Sequence, residues 1–146
     1  MRITDAFRGE HGVFYALFGH LEEMIPTSES LQLVTAQAAF LTSALATHAN
    51  LEETLLFITL EPHIGKGGPL AMMRSEHEEI EGTLEGLAGI EDLSEAKRQL
   101  LHVVSVARGH FAKEEQILYK LAEQTLDDGV LTDLGRAWAE KRSVMI

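Results

Sequence analysis

Two stretches of the chain repeat one chemical pattern. "HANLEETLLF" (His48 to Phe57) and "HFAKEEQILY" (His110 to Tyr119) share a histidine, a glutamate pair starting four positions later, a leucine and an aromatic residue. His-x-x-x-Glu spacing on a helix puts an imidazole and a carboxylate on one face, one turn apart. Each repeat is preceded by a lone histidine directly after a glutamate, His11 after Glu10 and His77 after Glu76. One such His/Glu pair is ordinarily a solvated surface feature. A lone histidine and then a His-x-x-x-Glu, met twice in the same order, points to metal ligation. Carboxylates converging in an apolar interior are costly unless a cation offsets them. Two of them on facing helices can bridge two ions, with two histidines left for each. Nitrogen and oxygen donors without sulfur suit iron, manganese or zinc.

The elements that must position these residues are helices. Breakers cluster at "PTSES", "PHIGKGGP", "GIEDLSE" and "DDG", and the stretches between them carry helical apolar spacing. The spacing predicts helices over about Thr4 to Ile25, Ser28 to Leu60, Pro69 to Gly89 and Ser94 to Leu126. "SESL" and "SEAK" serve as N-terminal caps, and Pro69 sits in a first turn. A short fifth helix, Val130 to Lys141, carries Leu131, Leu134 and Trp138 on one side. Short connections between long helices imply an all-α fold, an antiparallel up-down-up-down four-helix bundle with a short C-terminal helix. At ~1.5 Å rise per residue, His11, His48, His77 and His110 then fall at one level of the bundle to within about a turn. His20 points away from His11 by helical rotation, His63 falls in a loop, and His102 lies more than two turns from His110, so none of these joins the layer.

Several residues border the layer. Glu81, one turn after His77, is a further candidate ligand. Glu53 and Glu115 are expected at the surface, being rotated ~100° from Glu52 and Glu114. Glu10 and Glu76, just before histidines, are likewise expected at the surface, with contact to an imidazole N–H as the alternative. Tyr15 is read as packing, with a hydrogen bond to a bridging ligand as the alternative. Phe14, Phe18, Leu55, Leu56, Ile117 and Leu118 are expected to keep the pocket apolar, with Met72 and Met73 as filler.

Composition bounds the rest. The chain has 146 residues, 45% of them hydrophobic, which suits one domain with a proper core. Without cysteine there is no disulfide, thiolate site or cysteine nucleophile. A formal net charge of −11 disfavours nucleic acid as a partner. The N-terminal stretch does not read as a signal peptide and no segment reads as a membrane span, so the expectation is a cytoplasmic protein with no membrane partner.

The pattern His11, His48-x-x-x-Glu52, His77, His110-x-x-x-Glu114, with its "EE..L-F" and "EE..L-Y" tails, resembles the hemerythrin-like (HHE cation-binding) domain family. The resemblance covers about Thr4 to Leu126 and makes residues 1–146 a single hemerythrin-like domain. It implies a non-haem centre of two iron ions, oxo- or hydroxo-bridged, with zinc or manganese as other divalent occupants. His11, His48, His77 and His110 would be terminal ligands, and Glu52 and Glu114 the bridging carboxylates. The oxygen-carrying members have five histidines, two of them one turn apart on the third helix. Here Met73 lies four before His77 and Glu81 four after it, so that fifth histidine is missing. Each metal would then keep about one open position unless Glu81 fills one. The resemblance thus implies binding or reaction with O₂, peroxide or nitric oxide, favoured by the lack of an appended DNA-binding or signalling segment. The alternatives are a non-catalytic iron or oxygen sensor, a metal store, or a zinc-loaded structural bundle. No catalytic residue and no oligomeric state is assigned from the sequence.

Overall fold

The computed structural model describes residues 1–145, and among them there are helices and connections but no strand. Helix α1 spans Ile3–Met24 and closes in a 3₁₀ turn, Ile25–Thr27. Helix α2, Leu31–Leu51, runs through a π-helical segment, Glu52–Phe57, into α3, Ile58–Ile64. Helix α4 spans Gly68–Leu87. Helix α5, Leu93–Lys113, runs through a second π segment, Glu114–Leu118, into α6, Tyr119–Thr125. Helix α7 covers Asp128–Arg142.

Local chemistry sets the ends. Ser30 Oγ accepts from the Leu33 amide at 3.1 Å, so α2 begins three residues later than the Ser28 start that the sequence suggested. Asp92, not Ser94, caps α5, accepting from the Glu95 amide at 2.7 Å; an ionised carboxylate is a stronger acceptor for those orphan donors. The expected stop at Leu60 is overrun to Ile64. Pro62 removes a backbone donor only in the final turn, where it and Ile58 both face solvent. Gly65, at φ 83°, then ends the helix in a conformation that side chains disfavour.

Helix α1 packs on α5 and α7, α2 on α4 and α5, and α4 on α5. The core has two apolar clusters. One gathers Phe14, Phe18, Leu41, Leu84 and Leu100. The other gathers Ile3, Phe7, Leu56, Phe57, Leu118 and Leu131. The histidine layer lies along the chain between them, so the polar groups of the site are walled by apolar side chains on both sides. Met73 and Leu118 are buried as expected, but Met72 and Ile117 are exposed and Leu55 is only half-buried. The π segments account for the shift at Leu55 and Ile117. Each π turn adds a residue per turn and rotates the later residues relative to an ideal α-helix. Among the described residues no helix is long and apolar enough to cross a membrane.

Candidate metal centre

Both π segments begin at a glutamate of the repeated motif, Glu52 and Glu114. Such insertions recur at functional sites because they re-aim a side chain without ending the helix. Both carboxylates keep the inward face of their histidines and are 0% exposed, and the π turn re-aims the residues that follow. His11, His48, His77 and His110 are buried with them. Two groups of four result, His11–His48–Glu52–Glu114 and Glu52–His77–His110–Glu114, and within each one donor atom per residue lies within 4.8 Å of the others. The two groups share both glutamates.

The atoms are arranged for cations. Glu114 turns Oε1 toward His110 Nε2 at 3.1 Å and His77 Nε2 at 3.6 Å, and Oε2 toward His11 Nε2 at 3.4 Å. Glu52 Oε2 lies 3.5 Å from His48 Nε2 and 3.4 Å from His77 Nε2. Its Oε1 accepts a short hydrogen bond from the Tyr119 hydroxyl. Glu52 Oε2, both oxygens of Glu114, and Nε2 of His77 and His110 are buried without a well-formed hydrogen bond. Nε2 of His11 and Nε2 of His48 face each other at 3.1 Å. Two ligand nitrogens on one ion, each at ~2.0–2.1 Å, sit about this far apart in tetrahedral or octahedral geometry. Orphaned donors at such spacings fit a metal, and the donor set, imidazole and carboxylate only, fits iron, manganese or zinc.

Each imidazole is oriented from behind. His48 Nδ1 donates to Glu10 at 2.5 Å, His110 Nδ1 to Glu76 at 2.8 Å, His77 Nδ1 to Glu53 at 2.7 Å and His11 Nδ1 to Glu115 at 2.8 Å. With Nδ1 occupied as donor, Nε2 is the nitrogen presented inward. The pairing repeats the sequence echo: the glutamate before each lone histidine serves the His-x-x-x-Glu histidine, and the glutamate after each inward carboxylate serves a lone histidine. The expected surface roles of Glu10, Glu53, Glu76 and Glu115 are therefore corrected. A side chain one position on from the inward face points at the neighbouring helix, and a glutamate is long enough to cross to its imidazole. Tyr15 donates to Glu115 at 3.1 Å, so it supports that carboxylate.

Aromatic rings complete the wall. Phe111 stacks on His11 with ring centres 3.8 Å apart, and Phe57 stacks on His77 at 5.8 Å. Tyr119 is the residue that sequence reasoning missed as a site residue. Its signal was present, since the repeat places Phe57 in one half and a hydroxyl-bearing aromatic in the other. Glu81 is half-buried and outside both four-residue groups; it borders a small cavity lined by His48, His77 and His110. His20, His63 and His102 are exposed. Replacing His20 with alanine is expected to leave metal content at the wild-type value by elemental analysis; a loss would mean the layer is misassigned.

Burial and charge work against each other here. Burial alone would raise the Glu114 pKa, but the imidazoles of His11, His110 and His77 close around it hold it well below the usual carboxylate range. Burial would lower His77, but the nearby carboxylates of Glu114 and Glu52 raise it to about 11. Burial would likewise lower His48 and His110, but both are raised, since Glu52 and Glu10 for the one, and Glu114 for the other, outweigh it. Burial and the adjacent Glu52 and Glu114 push the Tyr119 hydroxyl well above its ordinary value, so it stays a donor. Without metal, protons on these imidazoles neutralise the carboxylates, at the positions an ion would take.

A helical protein with a buried histidine and glutamate cluster suited to metal is the class this geometry defines. The chain belongs to the hemerythrin family, by a match of the Hemerythrin HHE cation binding domain to residues 2–122. Among curated proteins and among solved structures, none matches the chain.

Proposed function

We propose that the centre is a dinuclear non-haem iron site that binds or reacts with a small molecule, O₂, peroxide or nitric oxide. The observation that carries this reading is the sharing of Glu52 and Glu114 between the two groups of four. His11 and His48 would hold one ion and His77 and His110 the other, with the two glutamates common to both. Iron bound there would supply reversible redox chemistry toward the small molecule. The chain's own residues orient the imidazoles through Nδ1, fix Glu52 Oε1 through Tyr119, and keep water out with Phe57 and Phe111.

The bundle reading is part of the same proposal. Arg8 meets Glu123 at 2.6 Å while Arg108 meets Glu22 at 2.8 Å, and Arg74 meets Glu61 at 2.9 Å while His77 meets Glu53 at 2.7 Å. Partners that descend in one helix as they ascend in the other support antiparallel neighbours, and hence the up-down-up-down order.

The small-molecule class rests on space. The cavity beside His48, His77 and His110 has a volume of about 20 Å³ and is otherwise walled by Leu45, Ala49, Ile80, Glu81 and Phe111. That holds a water-sized guest and excludes an organic substrate. The test is elemental analysis with a visible spectrum on protein expressed with ample iron. About two irons per chain with charge-transfer bands would support the dinuclear reading. Redox-silent zinc alone would replace it with the structural bundle. Replacing Tyr119 by phenylalanine is expected to keep the metal stoichiometry but weaken affinity by about 10-fold, the lower range for removing a group that orients a ligand. Chelator competition checks it, and an unchanged affinity would remove Tyr119 from the site.

A further inference from the structure

Among the carboxylates that hold the imidazoles, Glu10 is anchored from the C-terminal helix. Its Oε2 accepts from His48 Nδ1 at 2.5 Å, and its Oε1 accepts from Trp138 Nε1 at 3.0 Å and Arg142 Nε at 2.6 Å. Both donors sit on α7, whereas the family match ends at residue 122. The counterpart in the other half, Glu76, takes its cation from Lys113 on α5, inside the match. The two halves of the centre are thus built alike from the repeat but supported differently.

Helix α7 is seated closely against the rest of the chain. Leu131, Gly135 and Ala139 form its buried stripe. At Gly135 the helix backbone approaches the N-terminus so nearly that an added Cβ would lie 2.2 Å from the Met1 carbonyl oxygen. Leu131, with Leu134 and Trp138 against it, joins the core cluster that contains Phe7, and the Phe7 ring stands edge-on to His48 at 5.5 Å.

We propose that α7 is a clasp for the His11/His48 half of the centre. Trp138 and Arg142 are positioning residues: they fix the orientation of Glu10, and Glu10 fixes the His48 ring with Nε2 facing inward. A carboxylate held by an indole N–H and a guanidinium cannot rotate away from the imidazole, so the ring is already ordered when it takes a ligand. Undocking α7 frees Glu10, and His48 loses its orientation while His77 and His110 keep theirs. The clasp itself stands on these contacts; its effect on metal rests on the dinuclear reading above.

The test separates the two. In metal-free protein, nitrogen-15 NMR of the histidine rings reads the clasp directly. Wild type is expected to show a His48 Nδ1–H resonance in slow exchange with water. The double variant Trp138→Phe/Arg142→Met should lose it while that of His110 persists, and Arg142→Lys should retain it. Persistence of the His48 signal in the double variant would overturn the clasp. Zinc titration with a competing chelator reads the consequence. The double variant and Gly135→Ala should weaken one of two zinc ions about 10- to 100-fold and leave the other at the wild-type value. Arg136→Gln, on the exposed face of α7, should change neither. Equal weakening of both ions would make α7 a general support and overturn the selective role. A wild type that binds no zinc pair would refute the dinuclear reading, and the NMR result would still decide the clasp.

Discussion

Replacing Glu114 with alanine is expected to cut metal loading from about two ions per chain to one or none, and to destabilise the metal-free protein as well. The two effects have one origin. Oε1 of Glu114 faces His110 and His77, and Oε2 faces His11, so one side chain serves both groups of four. Removing it takes a donor from both groups of four at once. In the metal-free protein it strands the buried, proton-bearing imidazoles of His77 and His110 without their anion. Breaking a buried ion pair from one side typically costs ~3–5 kcal/mol, more than an exposed pair could ever contribute. Elemental analysis and the urea midpoint of the metal-free protein check both parts. Glu114→Gln keeps the volume and one neutral oxygen, so it should restore part of the packing but not the metal. A Glu114→Ala protein that still binds two ions would refute the shared-carboxylate assignment.

Much of this centre was legible in the chain because helical geometry converts spacing into direction. His48 and Glu52, or His110 and Glu114, must share a face if the segment is helical, and the repeat makes the second instance independent of the first. Equal depth along neighbouring helices puts His11 and His77 beside them and sets apart His20, His63 and His102, which are exposed. What ideal spacing could not show is the pair of π segments. Their insertion leaves no mark in hydrophobic periodicity at this length, yet it turns Ile117 to solvent and Tyr119 into the site. The surface expectation for Glu10, Glu53, Glu76 and Glu115 fails for a related reason. Rotation away from the inward face does not mean exposure, because in a bundle the flank of one helix is the neighbour of the next. The roles of Trp138 and Arg142 depend on how α7 docks, a tertiary fact with no local signal beyond the apolar stripe.

The repeat also explains why the site can be both buried and ionic. Four inward imidazoles would repel one another if all were charged, and two inward carboxylates alone would be strongly destabilising in an apolar interior. The four outer glutamates resolve this by supplying negative charge behind each ring, at Nδ1, where it does not compete for Nε2. Inner and outer carboxylates together contribute to the net charge of −11 for the chain.

That arrangement sets the sign of the pH dependence, and the effect is large. His77 has its pKa raised to about 11, and His48 and His110 are also raised, so at neutral pH the metal-free centre carries protons that an ion must displace. Metal affinity is therefore expected to rise with pH, about tenfold per unit for each proton released, across roughly pH 5 to 8. The metal-free protein behaves oppositely. A raised His77 pKa contributes stability that is fully present below the unfolded value near 6.5 and is lost as pH rises through about 11. At the acid end Glu10 sets a second limit. Burial would raise its pKa, but His48 and Arg142 lower it to about 2, so its contribution is present above about 4.5 and is lost as pH falls toward 2. The melting-temperature increment given by saturating zinc should consequently grow from pH 6 to pH 8, and zinc binding in weak buffer should release protons. An increment that is flat or shrinks over that range, with no proton release, would show that the ion does not occupy the inward imidazole face of the four histidines.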